Sequence, residues 1–138
     1  MKVLVTGGLG FIGHNIVKTL EQQGHEALVI DNRTSYGFIP PDELDYLLRE
    51  RSKNMYSPIY PIDIRDSTGV EFVLQHFRPD IVIHCASFPR QKVVSADPIL
   101  GSQTMATGLI NLLEHAKKAH LKKFLYISSS MVYGDFEN

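Results

Sequence analysis

Cysteine is nearly absent: Cys85 is the single one among 138 residues. No disulfide can form within the chain, and the redox compartment is left open. An excess of either charge is missing too, with 14 Lys and Arg against 15 Asp and Glu and a formal net charge of −1. Nothing in that balance argues for nucleic acid or an anionic membrane surface as a partner. No apolar run reaches membrane-spanning length, and Val3-Leu4-Val5 is too short for the apolar core of a signal peptide. A cytoplasmic location is the expectation. The six histidines, at 14, 25, 76, 84, 115 and 120, show no metal-ligand spacing with one another or with Cys85, so no metal is expected. There is no G-x-S-x-G for serine-hydrolase chemistry. Repeats, low-complexity tracts and linkers are absent as well. The residues 1–138 read as one domain, long enough for a real core, with 43% hydrophobic and 21% charged residues, ordinary for a soluble globular protein.

What the chain does have is a glycine-rich turn. Thr6-Gly7-Gly8-Leu9-Gly10-Phe11-Ile12-Gly13 follows the apolar Val3-Leu4-Val5 and opens into a helix-period pattern at Ile12, Ile16, Val17 and Leu20. Gly7, Gly10 and Gly13 give G-x-x-G-x-x-G, while Gly8, Gly10 and Gly13 also satisfy G-x-G-x-x-G. One glycine serves a tight turn, one lets backbone approach a pyrophosphate, and one allows close helix–strand packing. The helix start offers free N–H groups and a positive dipole end to phosphates. Asp31, at the end of the second apolar run, supplies the acidic residue that accompanies such a turn in dinucleotide sites. His14-Asn15 stands where a triphosphate P-loop would carry Gly-Lys-Ser/Thr, which argues against that alternative. A glycine-tolerant turn with no ligand is the plain competing reading.

Strands and helices alternate along the rest. Strands are expected at 2–6, 27–30, 58–62, 81–86 and 122–128, and a first helix at 11–23 stopped by Gly24. Pro40-Pro41-Asp42-Glu43 starts a second helix with Leu44, Leu47 and Leu48 as its apolar stripe. Asp66 caps a third, carrying Val70, Val73, Leu74 and Phe77. A loop over 87–98 then precedes a long helix with Met105, Leu109, Leu112, Leu113 and Ala116 on one side, Met105 being read as core. Strands apolar on both faces and separated by helices predict an α/β fold, a doubly wound parallel sheet of Rossmann type in the order 3-2-1-4-5. Pro61 cannot donate to a ladder, which suits the third strand as an edge. The strand ends then bring the glycine turn, Asp31, Asp63, Ala86 and Ser128-Ser129-Ser130 to one crevice. His84 and Cys85, adjacent on a strand, face opposite sides and cannot form a dyad.

Taken in order, T-G-G-L-G-F-I-G, D-N at 31–32, D-I-R-D at 63–66, H-C-A-S at 84–87 and S-S-S-M-V-Y-G-D at 128–135 resemble the extended short-chain dehydrogenase/reductase family, and within it the nucleotide-sugar epimerases and dehydratases. The resemblance implies a bound NAD, with Gly7, Gly10, Phe11, Ile12 and Gly13 at the pyrophosphate and Asp31 and Asn32 at the adenosine ribose. Asp63 and Ile64 would meet the adenine, and Cys85, Ala86 and Ser87 the nicotinamide side. The Asp31 carboxylate would repel a 2′-phosphate, favouring NAD over NADP, although Arg33 stands close by. The implied chemistry is hydride removal from the carbon of a UDP- or dTDP-linked sugar and its return, with Ser129 as the hydroxyl at the sugar oxygen. Arg90 and Lys92 would approach the substrate diphosphate or stand as solvated loop charges.

Two departures accompany the resemblance. Met105 stands where the family has asparagine. The family's tyrosine base with lysine four residues later is missing: Tyr36, Tyr46, Tyr56, Tyr60, Tyr126 and Tyr133 are followed there by Pro40, Glu50, Tyr60, Ile64, Ser130 and Glu137. The chain therefore reads as the incomplete, cofactor-binding part of such an enzyme, inactive alone, or as a catalytically dead dinucleotide-binding or regulatory module. With the next helix of the family's interface missing, the long helix or the fifth strand's open edge is expected to drive homodimerisation.

Overall fold

The computed structural model describes residues 1–88 and 90–134. In chain order the elements are β1 (Lys2–Thr6), α1 (Phe11–Gln22), β2 (Glu26–Ile30), α2 (Pro41–Ser52), β3 (Ile59–Tyr60), α3 (Ser67–Phe77) and β4 (Ile81–His84). There follow α4 (Gln91–Ala96), α5 (Pro98–Ser102), a π-helical turn (Gln103–Thr107), α6 (Gly108–Lys118), β5 (Lys123–Tyr126) and a short 3-10 turn (Ser130–Tyr133). Every strand pair is parallel, in the order 3-2-1-4-5. The doubly wound sheet read from the sequence is the fold.

Burial on both faces explains why the central strands are apolar at every position. Val3 and Val5 share one face with Ala27 and Val29, against Ile16, Val17 and Leu20 of α1. Leu4, Leu28, Ile30 and Val82 share the other, against Val70, Val73 and Leu74 of α3 and Leu112 and Ala116 of α6. Full burial of such a side chain is worth about 1.5–3 kcal/mol, and a one-residue slip would exchange the two faces. Asp66 caps α3 as expected, its carboxylate accepting the Gly69 N–H at 3.1 Å.

Several boundaries differ from expectation, most of them for a local reason. β3 is only two residues long because Pro61 has no N–H to continue the ladder beyond Tyr60. β4 stops at His84 because the Ala86 N–H turns to the Thr6 hydroxyl, at 3.2 Å. β5 is confined to Lys123–Tyr126. The expected loop at 87–98 contains α4, which ends where Pro98 restricts the preceding Asp97, and the Asp97 carboxylate caps α5 through the Leu100 N–H.

Met105 is not core: it is 41% exposed, as are Ile110 and Leu113 in similar measure. The buried face of this helical stretch is instead Gly101, Thr104, Gly108, Leu112 and Ala116. The π-helical turn shifts the phase, and small residues let the helix approach closely: a Cβ on Gly108 would meet Ile64 at 2.6 Å. Hydrophobic periodicity pointed to the large residues, while packing selected the small ones.

Candidate functional site

The four glycines of the first turn are there for different reasons. Gly7 has φ +67, and a Cβ on it would meet the Ala86 nitrogen at 2.7 Å. A Cβ on Gly8 would strike Val29 at 2.6 Å, and one on Gly13 would run into the Gly7 carbonyl. These three are held as glycine by the protein's own packing. Gly10 is the least constrained: its φ −67 and ψ 170 suit any residue, and a Cβ would press on one atom, the Gly7 carbonyl oxygen at 3.0 Å. The space that Gly10 leaves open belongs to the cleft. Gly10 is also the N-cap of α1, with no side chain capping the helix and no acid in its first turn. The first-turn N–H groups and the positive dipole end are therefore available to an anion.

Beside this turn, at the C-terminal edge of the sheet, lies a cleft of about 240 Å³. Gly7, Gly10, Phe11, Asp31 and Asn32 line one side, and Ile64, Cys85, Ala86 and Ser87 another. The fold thus gathers nine of the expected site residues around one space. Ile12 and Gly13 belong to the first turn of α1 behind it. Asp63 and Ser129 do not line it.

Asp31 ties β2 to the glycine turn. Its Oδ2 accepts the Leu9 N–H at 2.9 Å and its Oδ1 accepts the Arg33 N–H at 2.7 Å. Each oxygen keeps acceptor capacity for a ligand hydroxyl. Asn32 donates its amide to Asp63 at 2.9 Å and to the Tyr36 hydroxyl at 3.2 Å. Asp63 in turn is gripped by Arg65, with Nη2 to Oδ2 at 2.7 Å and Nε to Oδ1 at 2.9 Å. Those bonds, helped by Asn32 and opposed by burial, hold the Asp63 carboxyl at a pKa of about 2. The Asp63 side chain faces a shallower cavity shared with Arg65, Asp66, Gln103 and Thr107, and its neighbour Ile64 presents the aliphatic wall of the cleft.

The wall at the end of β4 is braced from beneath. Buried His84 places Nδ1 at 2.6 Å from the Thr6 hydroxyl, which also accepts the Ala86 N–H. Burial pushes the His84 pKa down to about 4 and the Cys85 thiol up to about 11. Near neutrality both are uncharged. Cys85 packs on the α1 side of the sheet, whereas His84 faces Tyr126 and Phe124 at ring distances of 5.5 and 6.1 Å. The two side chains point apart, and His84 is structural.

Several lining residues escaped the sequence reading. Leu44 and Leu48 of α2 face the cleft, and Arg51, one turn on, donates to the Leu9 carbonyl at 3.1 Å. The leucine stripe was legible; its direction toward a ligand space was not. Across the mouth, Tyr36 stacks on Phe88 with ring centroids 4.0 Å apart, and the Arg90 guanidinium sits 4.4 Å over the Phe38 ring. Arg90 thus meets an aromatic face. Thr104, from the π-helical turn, completes the lining.

Ser129 lies just beyond β5, exposed, with its carbonyl accepting the Val132 N–H at 3.3 Å. The Ile127 N–H donates to the His84 carbonyl at 3.1 Å, so this segment leaves the sheet beside the end of β4. Asp135, at the end of the last quoted motif, lies outside the described residues. Among the described residues no group of three or more His, Cys, Asp or Glu could hold a metal, and no helix is long and apolar enough to cross a membrane. The cleft's chemistry is binding: free amides for a diphosphate, a fixed carboxylate for hydroxyls, and aliphatic walls for a flat ring.

Comparison with known proteins agrees with that geometry. The profile of the NAD dependent epimerase/dehydratase family matches residues 3–138. UDP-glucose 4-epimerase 2 of Oryza sativa subsp. japonica is 32% identical over 136 residues, covering 99% of this chain and 33% of that protein. A UDP-glucose 4-epimerase of Klebsiella pneumoniae is 31% identical over 137 residues, covering 98% of this chain and 94% of that protein. The crystal structure of a Thermus thermophilus UDP-glucose 4-epimerase in complex with NAD aligns with a TM-score of 0.74 at 36% identity, over 90% of this chain and 36% of that one. The chain thus spans about a third of the rice and Thermus proteins and nearly all of the Klebsiella one. With the sheet order, the glycine turn and a profile match over almost its whole length in agreement, the chain belongs to the NAD dependent epimerase/dehydratase family.

Proposed function

We propose that this chain is the NAD-binding part of a nucleotide-sugar epimerase or dehydratase, the complete enzyme acting on a UDP- or dTDP-linked sugar. When bound, NAD supplies a hydride acceptor and donor for a sugar carbon. The chain's own residues bind and orient. Gly10 leaves the approach open, and the amides of Phe11, Ile12 and Gly13 receive the pyrophosphate. Asp31, fixed from both sides, accepts the ribose hydroxyls and disfavours a 2′-phosphate, with Asn32 held beside it. Ile64 borders the adenine, with the Asp63 carboxylate beside it engaged by Arg65 and Asn32, and Cys85, Ala86 and Ser87 border the nicotinamide side. Ser129 offers its hydroxyl to the sugar oxygen. No tyrosine here has lysine at the fourth following position, so on this reading the chain alone has no positioned base and turns over no sugar. The same feature favours a second reading, a catalytically inactive dinucleotide-binding module; turnover of UDP-sugars by the full coding sequence separates the two. A cytoplasmic homodimer belongs to the proposal, supported by the exposed Met105, Ile110 and Leu113 on one side of the α5–α6 stretch.

The observation that carries the reading is Gly10, whose backbone suits any residue and whose missing side chain would meet one neighbour, the Gly7 carbonyl, and otherwise face the cleft. Titration of NAD into wild type and Gly10→Val tests it. The variant is expected to stay folded, losing less stability than Gly13→Ala, and to lose NAD binding. Equal affinity in the two proteins would overturn the assignment.

A further inference from the structure

Arg51 reaches out of its own helix. Arg49 and Arg51 both stand in the last turn of α2, where a cation complements the helix dipole. Arg49 stays local, its Nε donating to the Asp45 carbonyl at 3.2 Å. Arg51 instead crosses to the glycine turn, its Nη1 donating to the Leu9 carbonyl at 3.1 Å. No acid draws it there: among the described residues no carboxylate forms an ion pair with Arg51, and the neighbouring Glu50 pairs with Lys53. Nor does core packing, since α2 has no buried residue and its Leu44 and Leu48 face the cleft.

The bond changes the sign of the cleft wall. Leu9 and Gly10 both line the space, and the peptide between them stands at the entrance to α1. The N–H of that peptide is taken by the Gly7 carbonyl at 3.0 Å. Its carbonyl, left bare, would turn a negative edge toward an arriving phosphate. The guanidinium covers that edge and puts donors in its place: one N–H meets Leu9, and the rest have no partner among the described residues. The charged residues lining the cleft are Asp31, Arg33 and Arg51, and Asp31 already accepts the Leu9 and Arg33 N–H groups. An unpaired, half-buried cation on a cleft wall, tied to the turn that precedes the free amides of α1, suits a phosphate.

We propose that Arg51 is a phosphate-binding residue of the cleft, reaching the bound dinucleotide from α2 while one N–H holds the Leu9 carbonyl. This rests on the reading of the cleft as an NAD site. The phosphate is either the diphosphate bridge at the glycine turn or a 2′-phosphate on the ribose at Asp31, and a planar guanidinium serves both. It adds a full charge to the amides of α1, which carry only partial ones.

The test titrates NAD and NADP into wild type, Arg51→Met, Arg51→Lys and the control Arg49→Met, all as the 138-residue chain, at about 50 and about 300 mM NaCl. Arg51→Met is expected to weaken binding about 10-fold at low salt, the worth of one charge-assisted hydrogen bond, and by clearly less at high salt. Arg51→Lys, which keeps the charge, should stay within about 3-fold, and Arg49→Met within about 2-fold. Equal losses for the two ligands support the proposal with the diphosphate as the group bound; a larger loss for NADP supports it with the 2′-phosphate. Unchanged affinity for both ligands in Arg51→Met would overturn the proposal and leave the NAD reading intact. So would a loss that salt does not alter and that Arg51→Lys shares, which marks a brace on Leu9 and no contact with phosphate. Wild type failing to bind NAD would instead overturn the reading of the cleft on which the proposal rests.

Discussion

The two flanks of the sheet differ in how completely they are closed. Around the glycine turn, Ala27–Ile30 of β2 are no more than 6% exposed, sealed by α1 on one face and α3 with α6 on the other. On β5, Leu125 is 38% and Tyr126 48% exposed, and Lys123 also faces solvent. The nucleotide-facing half carries its own core, while the β5 flank presents apolar side chains and, among the described residues, a strand edge with no further strand beside it. Binding geometry and the more deeply buried strands thus reside on the same side of the molecule.

The largest expected effect breaks this contrast from the closed side. Gly13→Ala forces a Cβ into the Gly7 carbonyl and to 2.8 Å from the Gly8 Cα, backbone that cannot rotate away. Chemical denaturation should register a loss of about 3 kcal/mol or more. Leu125→Ser on the open flank should change stability by less than about 1 kcal/mol. Its effect should appear in sedimentation, as weaker self-association. Comparable stability losses in the two variants would mean that the flanks share the load equally and the contrast is false.

A smaller effect is set by pH. His84 is held at a pKa of about 4 by burial, against about 6.5 in the unfolded chain. The folded state therefore binds this proton less well than the unfolded state. Stability is fully present above pH 6.5 and falls as pH drops toward 4, by about 3 kcal/mol. Asp63, held at about 2, adds a further loss only below about pH 3.8. Denaturation midpoints between pH 7 and 4 should show the first slope in wild type and lose most of it in His84→Gln. A slope that survives in His84→Gln would assign the titration to another group and leave the brace between Thr6 and Ala86 without its pH signature.

How much of this was legible in the sequence follows from what each signal encodes. Sheet order and the convergence of nine candidate residues on one cleft were readable because continuous apolar strands dictate two covered faces, and strand ends then converge by topology. The helix phase at Met105 was not readable: a π-helical turn depends on tertiary contact, and the pattern of large residues pointed away from the small Gly101, Thr104 and Gly108 that pack inward. Arg51, Leu44 and Leu48 carried a helical spacing but no indication of what they faced. The engagement of Asp63 with Arg65 was equally hidden, since a carboxylate at a strand exit reads the same whether it meets a ligand or its own neighbour.

The proposed place of the dinucleotide is across the glycine turn, on the closed flank. Adding NAD while following backbone amide resonances of the 138-residue chain tests it most directly. The largest shifts are expected at residues 10–13, 31–33 and 85–87, with Lys123–Tyr126 unmoved. Shifts centred on β5, or none at the glycine turn at saturating NAD, would contradict it.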